Sequence, residues 1–529
     1  MPQGPRLQIS RQLTTDATVM TLAKAIINDG QRVWRSVLAI LAAVAASGIA
    51  SRAGAQTAQP PLEPIRLSDP SALPDPVPLT DPSSSVDEDS HSWKRAQHST
   101  SKKDDDCDDA GWFGLESLID DDLKKIVESD EEEKKENGSS RKPSTNLTVE
   151  LQSDVAWFRQ DATNVQTVGP IPDGSFFRRA RFGIFGELYD TLEYRLEWDF
   201  AEPARPRFLD NWVALTNLPY VNNMIVGHYF EPFSLERYTP NRFITFAERS
   251  LADTFTPVRN MGAMVYGHSM EDRLTWAAGI FRTNSDDYGE SVMFGDDFAL
   301  TLHSTFLGWF EGDDDYTERL LHLGASGSFR NPGNNQTRFA NRPSVRMSQQ
   351  GVGGVPLFVD TGDMLDVNHY YLYGLEAAWV RGPWSVQGEW IGSTVERRHN
   401  ANPRFESAYI YGSWFLTGES RSYSPTSILG RFREGIFQRV TPRSNVFSAG
   451  PGGGWTGCGA WELAVRWSFI DLNDAGIEGG RIEEMTYGVN WYLNKWTKVV
   501  LNYVRPTLID PNMGRSRAEA YVARLQFEY

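Results

Sequence analysis

From Ala460 to Tyr529 the chain alternates apolar and polar residues in four successive runs, and this alternation constrains the fold more than any other feature. In the first run Trp461, Leu463, Val465, Trp467 and Phe469 fall on one face, and Glu462, Ala464, Arg466 and Ser468 on the other. A period of two marks a strand whose faces meet different surroundings. Met485, Tyr487, Val489, Trp491 and Leu493 repeat the pattern, then Val499, Leu501 and Tyr503, and finally Tyr521, Ala523, Leu525, Phe527 and Tyr529. The connection at Asn494 is short, and those on the other side are expected to be longer. Bulky apolar residues on one face, charges on the other and turns of unequal length describe a barrel wall with lipid outside and a polar lumen inside.

Composition fits this reading. A chain of 529 residues accommodates one large barrel with a tail. It contains no apolar run of about eighteen residues, so helical spans are not indicated, whereas a barrel strand needs only every second residue apolar. The 12% aromatic content, with 17 Trp, suits rings placed at two membrane interfaces. The 2 Cys, Cys107 and Cys458, suggest neither a disulfide framework nor a metal site. Nothing points to an enzyme, a cofactor or nucleic acid. There is no His-Glu-x-x-His motif, and the glycine-rich Gly450–Gly459 lacks the Lys-Ser/Thr of a phosphate loop.

Residues 1–55 read as an N-terminal extension plus signal peptide. Arg32 and Arg35 precede an apolar run from Val37 to Ala46, and Ala53-Gly54-Ala55 offers cleavage after Ala55. Met20 is a plausible true start. Residues 56–143 are rich in Pro, Ser and acid and read as a disordered periplasmic tail. Within it Trp112, Phe113, Leu115, Leu118, Ile119, Leu123, Ile126 and Val127 stand at helical spacing and predict one amphipathic helix over about 111–128. Its readings are a periplasmic plug, a trimerisation stalk, a docking element for the cell wall or another periplasmic partner, or a solvated helix of no special role.

The fold class expected for 144–529 is an all-β, antiparallel transmembrane barrel of about sixteen strands in the bacterial outer membrane. Strands are expected over Thr145–Phe158, Phe176–Leu188 and Leu192–Phe200, then from near Phe208, Tyr220, Arg259, Arg273, Asp297, Glu318, Tyr370, Trp384 and Arg404, followed by the last four. With both termini periplasmic, Asp190, Pro219 and Gly382 mark short periplasmic turns. The long connections Glu231–Val258 and about 329–369 then lie outside. Parity leaves 416–459 on the periplasmic side, where turns should be short. Either a strand pair is hidden there or the segment folds into the lumen. The terminal Tyr521, Leu525, Phe527 and Tyr529 look like the signal read by the barrel-assembly machinery.

The runs GHYFEPFSLERYTPNRFITFAERSLADTFTP from Gly227, FLTGESRSY from Phe415, and AWELAVRWSFIDLND with YGVNWYLNKWTKVVLNYVRP from Ala460 resemble the phosphate-selective porin O and P family. The resemblance implies a sixteen-stranded homotrimeric barrel with two external loops and one periplasmic segment folded into the channel. It also implies an anion pore lined by arginines, with lysines at the narrowest site.

Charge both supports and strains that implication. Of 52 Lys and Arg and 69 Asp and Glu, residues 1–143 hold 17 and 24, leaving 35 against 45 for the barrel. Only charges near a constriction act strongly on a permeating ion, however. The external loop carries Arg330, Arg338, Arg342 and Arg346, and the periplasmic segment carries Arg421, Arg431, Arg433, Arg439 and Arg443. These are the candidate anion ligands, since arginine stays charged and its planar fork matches phosphate oxygens. The constriction loop is mixed, with Arg237, Arg242, Arg249 and Arg259 against Glu236, Glu248 and Asp253. The barrel's only lysines, Lys495 and Lys498, stand beside a periplasmic turn, and no inner-face lysine matches the family's site. The sequence therefore supports a passive channel for small, phosphate-like or polyphosphate-like anions. A non-selective diffusion porin and a structural protein tethering the cell wall through its tail are the alternatives.

Overall fold

The computed structural model describes residues 143–529 except 190, 203–204, 284–296, 314, 348–353, 427–431, 448–453 and 455–456. The expected signal peptide and cleavage site, the expected tail helix and the turn expected at Asp190 lie outside the described residues.

Sixteen strands form the wall. They are β1 Ser144–Gln160, β2 Gly174–Leu188, β3 Leu192–Asp199, β4 Asn211–Leu218, β5 Asn222–Phe230, β6 Arg259–Ser269, β7 Leu274–Phe281 and β8 Phe298–Gly312. There follow β9 Thr317–Asn331, β10 Val367–Arg381, β11 Trp384–Arg397, β12 Arg404–Phe415, β13 Ala460–Asp474, β14 Ile477–Asn494, β15 Thr497–Asp510 and β16 Gly514–Glu528. Neighbours pair antiparallel, and β1 closes on β16 in a register running from Glu150 opposite Glu528 to Gln160 opposite Ala518. Tyr529 completes the seam by exchanging backbone hydrogen bonds with Val149 at 2.9 and 3.1 Å. Closure leaves no sheet edge exposed to lipid. Among the described residues no helix is long and apolar enough to cross a membrane.

The outer face carries the apolar set read from the alternation, including Leu463, Val465, Trp467, Tyr487, Leu501, Tyr521, Leu525 and Phe527, all exposed. Trp384 stacks on Trp414 with centroids 4.8 Å apart, and Trp461 on Trp491 at 5.0 Å, as rings do across paired strands at an interface. Strand starts fall within about three residues of their expected places, an ordinary boundary error. One expectation fails at the other end of the last hairpins. The β13–β14 connection is the two-residue turn Ala475–Gly476, both left-handed at φ 53° and 82°, and β15–β16 closes through residues 511–513. These tight turns are as short as the periplasmic ones, because neighbouring strands with matched register need only a primed turn.

Three segments enter the lumen. Loop 231–258, between β5 and β6, contains the short helix α1 Leu235–Tyr238. Loop 332–366, between β9 and β10, pairs Ala340–Asn341 with Val359–Asp360. The segment 416–459, between β12 and β13, also turns inward rather than hiding a wall strand pair. Its Tyr423–Ser424 pairs with Ile436–Phe437, and Phe432 packs edge-on against wall residues Trp212 and Tyr229 at 5.6 and 5.0 Å.

Candidate functional site

The constriction loop is held by its backbone. Side chains from four adjacent inner-wall strands donate to its carbonyls: Gln526 to Arg242, Lys498 to Ile244, Asn490 to Thr245, Arg524 to Ala247 and Arg466 to Glu248. Asn502 accepts from the Ala247 N–H at 2.8 Å. A buried loop backbone must find such partners. This changes the reading of two residues. Arg466 is a loop anchor, and Lys498, although close to the turn, points inward with its Nζ 3.1 Å from the Ile244 carbonyl.

Between this loop, the wall and loop 332–366 lies a cavity of about 320 Å³ on the extracellular side. Its lining includes nine arginines, at positions 178, 179, 181, 207, 237, 249, 259, 342 and 346, against two carboxylates, Glu248 and Asp253. Three neighbouring arginines come from β2 through a break in alternation. Gln152 pairs with Arg179 but Ser153 with Phe177, so Arg178 is an extra residue and both Arg178 and Arg179 turn inward. The paired neighbours Phe176-Phe177 and Arg178-Arg179 carry the sequence signal of that bulge, because strict alternation forbids them.

The arginines differ in how far their charge is compensated. Arg178 reaches Glu248 at 2.7 Å, Arg237 reaches Asp253 at 2.9 Å, and Arg181 lies between Glu150 and Asp199 at 3.2 and 3.1 Å. Arg179 bonds to the Gln152 side chain and keeps a buried Nε without a partner. Arg346 donates to the carbonyls of Pro343 and Val345 at 3.1 and 3.2 Å. Arg249 donates to those of Glu236, Arg237 and Thr239, with Asp253 at 3.9 Å. Arg342 lines the cavity, and burial draws its guanidinium below the ordinary range. Burial likewise brings Arg346 down to about 10 and Arg249 to about 9, so both stay charged at neutral pH.

Below the cavity the passage narrows to a space of about 30 Å³ that shares Arg181, Phe230, Asn241 and Arg259 with it. The Phe230 ring has the guanidinium carbons of Arg259, Arg433, Arg237 and Arg249 at 4.0, 4.9, 5.4 and 5.9 Å from its centre. Asp210 bridges two of them, Arg259 at 2.7 Å and Arg433 at 3.0 Å. Burial pushes its carboxyl up, but those two cations hold it below the usual carboxylate range. Arg242 lines this space and also a periplasmic one of about 10 Å³ with Arg439, Lys498 and Glu528. Arginines line all three spaces, accompanied by Glu150, Glu197 and Asp210 in the narrow one and by Glu528 in the periplasmic one.

The candidate ligands from the sequence are scattered by the fold. Arg342 and Arg346 line the outer cavity, with Arg237, Arg249, Arg259, Glu248 and Asp253. Arg433 and Arg242 line the narrow space, and Arg439 the periplasmic one, 3.0 Å from Glu528. Arg330 belongs to β9 rather than to the loop, and is bonded to Glu231 at 2.7 Å. Arg338 stands at the exposed rim in an ion pair with Asp360. Arg421 is sandwiched with its guanidinium carbon 3.5 Å from the Phe437 ring centre, and Arg443 lies beside Tyr316. Arg431 is outside the described residues. Tyr521, Leu525, Phe527 and Tyr529 face outward on and just beyond β16. Arg178, Arg207, Asp210 and Phe230 enter the site without having been singled out from the sequence. Among the described residues no group of His, Cys, Asp and Glu could hold a metal ion.

A closed sixteen-strand barrel, apolar outside and charged inside, with loops folded into its lumen, is the architecture of an outer-membrane porin. The phosphate-selective porin O and P family matches residues 146–529, and the chain belongs to that family. Porin O of Pseudomonas aeruginosa is 25% identical over 397 residues, 68% of this chain and 83% of that protein. An uncharacterized Caulobacter vibrioides protein is 29% identical over 347 residues, covering 62% of each chain, under two thirds of the relative's length. Among solved structures, OmpT of Vibrio cholerae is 9% identical with a TM-score of 0.43, covering 74% of this chain and 99% of that one.

Proposed function

We propose that this porin conducts small anions in preference to cations, with phosphate-like and polyphosphate-like solutes favoured. The observation that carries the reading is the outer cavity, where nine arginines face two carboxylates. Among the described residues no carboxylate lies within ion-pair reach of Arg179, Arg342 or Arg346, so an entering anion meets charge that Glu248 and Asp253 offset only at longer range. A guanidinium donates in a planar fork, and several along a path let an anion exchange its water shell stepwise. Most of the carboxylates behind the barrel's formal acidity sit outside this cavity, for instance Asp360 at the rim, paired with Arg338. In the same reading the chain assembles as a homotrimer, with residues 56–143 in the periplasm, and the outward Tyr521, Leu525, Phe527 and Tyr529 are read by the barrel-assembly machinery.

The test is the reversal potential of the purified porin in a planar bilayer under a KCl gradient, followed by titration of phosphate against the chloride current. Anion preference with block by phosphate supports the reading. Cation preference, or none, would leave a general diffusion porin in its place.

A further inference from the structure

Glu376, on the inner face of β10, joins two segments that enter the lumen from opposite ends. Its Oε1 accepts hydrogen bonds from His303 Nε2 at 2.9 Å and His322 Nε2 at 3.0 Å, on β8 and β9. Its Oε2 accepts the backbone N–H of Leu235, the first residue of α1 in the constriction loop, at 2.8 Å. An ionised carboxylate only accepts, so each imidazole carries its proton on Nε2. A neutral His322 then has a free Nδ1, which accepts from the Tyr423 hydroxyl at 2.8 Å. Tyr423 belongs to the paired strands of the periplasmic segment. One chain, Tyr423 to His322 to Glu376 to Leu235, therefore fastens both segments to a single point on the wall.

The wall is shaped for this carboxylate. Gly324 on β9 stands opposite Glu376, and a Cβ there would lie 2.3 Å from its Oε1. Glu376, His303, His322 and Tyr423 are all buried, and the His303 ring meets Tyr238 at the end of α1 edge-on at 5.7 Å. The next strand repeats the loop attachment: Glu389 accepts the Glu236 N–H at 2.7 Å and the Tyr409 hydroxyl at 2.6 Å. The periplasmic arm has no such duplicate at Glu389.

We infer that Glu376 is the positioning residue of this channel: it clamps the constriction loop and the periplasmic segment to one point and so sets the aperture between them. The inference rests on the reading of the chain as a channel but not on the sign of its selectivity. Its test is single-channel conductance and open-channel noise of the full chain in planar bilayers. Heat-modifiable migration in gels checks that each variant forms a barrel. Glu376→Ala removes one anchor from each segment, while those of the constriction loop on β13 to β16 and of the periplasmic segment at Asp210 and Glu528 remain, and is expected to raise conductance about twofold with increased noise. Gly324→Ala displaces the carboxylate without removing it and should act in the same direction. Tyr423→Phe cuts one arm without altering any charge, so a smaller rise there separates positioning from electrostatics. Glu376→Gln, whose amide oxygen serves either Leu235 or the imidazoles but not both, should fall between wild type and Glu376→Ala.

Wild-type conductance and noise in a heat-modifiable Glu376→Ala barrel would overturn the inference. If that variant forms no barrel, Gly324→Ala and Tyr423→Phe decide: unchanged traces in both overturn it, and raised conductance in either supports it. A cation-selective wild type would defeat the anion reading and leave this test intact.

Discussion

Near the extracellular end, the inner wall of β10 to β15 presents Leu372, Ile391, Val395, Phe405, Ile470, Ile482 and Leu508. Phe246, Leu251 and Phe255 of the constriction loop and Phe339, Val345 and Phe358 of the other external loop pack against them in one apolar cluster. Across the lumen, β2 and β6 present Arg178, Arg179, Arg181 and Arg259 to a cavity that the same two loops line with Arg237, Arg249, Arg342 and Arg346. Each loop has one face that packs and one that carries charge. The packed face fixes the backbone, so the guanidiniums opposite are already ordered when an anion arrives, and less entropy is lost on binding. Half of this lumen is a hydrophobic core whose function is to hold the other half in place.

That division predicts that changes on the two sides separate stability from selectivity. The largest effect is expected from Phe255→Ala. This buried ring meets Phe339 edge-on at 5.1 Å, and truncation at such a site costs about 3–5 kcal/mol. The constriction loop should then exchange its amide hydrogens faster and the channel should conduct more, with anion preference reduced only because the loop moves. Protection equal to wild type would mean that the apolar side does not order the loop.

Glu248→Gln ranks next, because Glu248 receives both Arg178 and Arg524, at 2.7 and 2.9 Å. Removing one partner of a buried pair costs about 3–5 kcal/mol at most. Denaturant midpoints should fall, while the reversal potential shifts towards stronger anion preference. A shift towards cations would show that this carboxylate does not offset cavity charge.

On the charged side, the combined Arg179→Gln, Arg342→Gln and Arg346→Gln variant should lose most phosphate block while its denaturant midpoint stays near wild type. Among the described residues these side chains make no ion pair to give up. Undiminished block in that variant would move the anion site elsewhere. The pH profile gives a smaller effect. A depressed pKa means the charge is fully present below it and lost as pH rises through it, so anion preference should be flat from pH 5 to 8. Even the depressed values of Arg249, about 9, and Arg346, about 10, lie above that range, so a change of reversal potential within it would show that another group sets the preference. The smallest effect is expected from Arg338→Gln at the exposed rim, where its pair with Asp360 is open to solvent and the reversal potential should not move.

Much of the wall was legible because its signal is local. Trp461, Leu463 and Val465 face lipid for the reason read from their spacing, and the parity of the strands already required 416–459 to be unusual. Ile470, Leu472, Val500 and Val504 show where that reading stopped. They are apolar on the inner face, where a water-filled lumen should have polar residues, and only the presence of folded loops against them explains it. Lys498 was misread for a related reason: nearness to a turn in sequence says little about where a long side chain finds its acceptor, here the Ile244 carbonyl.

The sequence by itself determined the barrel, its strand number, its lipid face and the basic character of the segments that enter the lumen. Each follows from period-two alternation, turn spacing or composition within a short window. Only the tertiary structure decided which arginines remain uncompensated. Arg330 and Arg346 are both basic residues around one loop, yet one is neutralised by Glu231 and the other, among the described residues, donates to the carbonyls of Pro343 and Val345. The Arg330–Glu231 pair joins residues 99 apart in the chain, and no local pattern records such a partner.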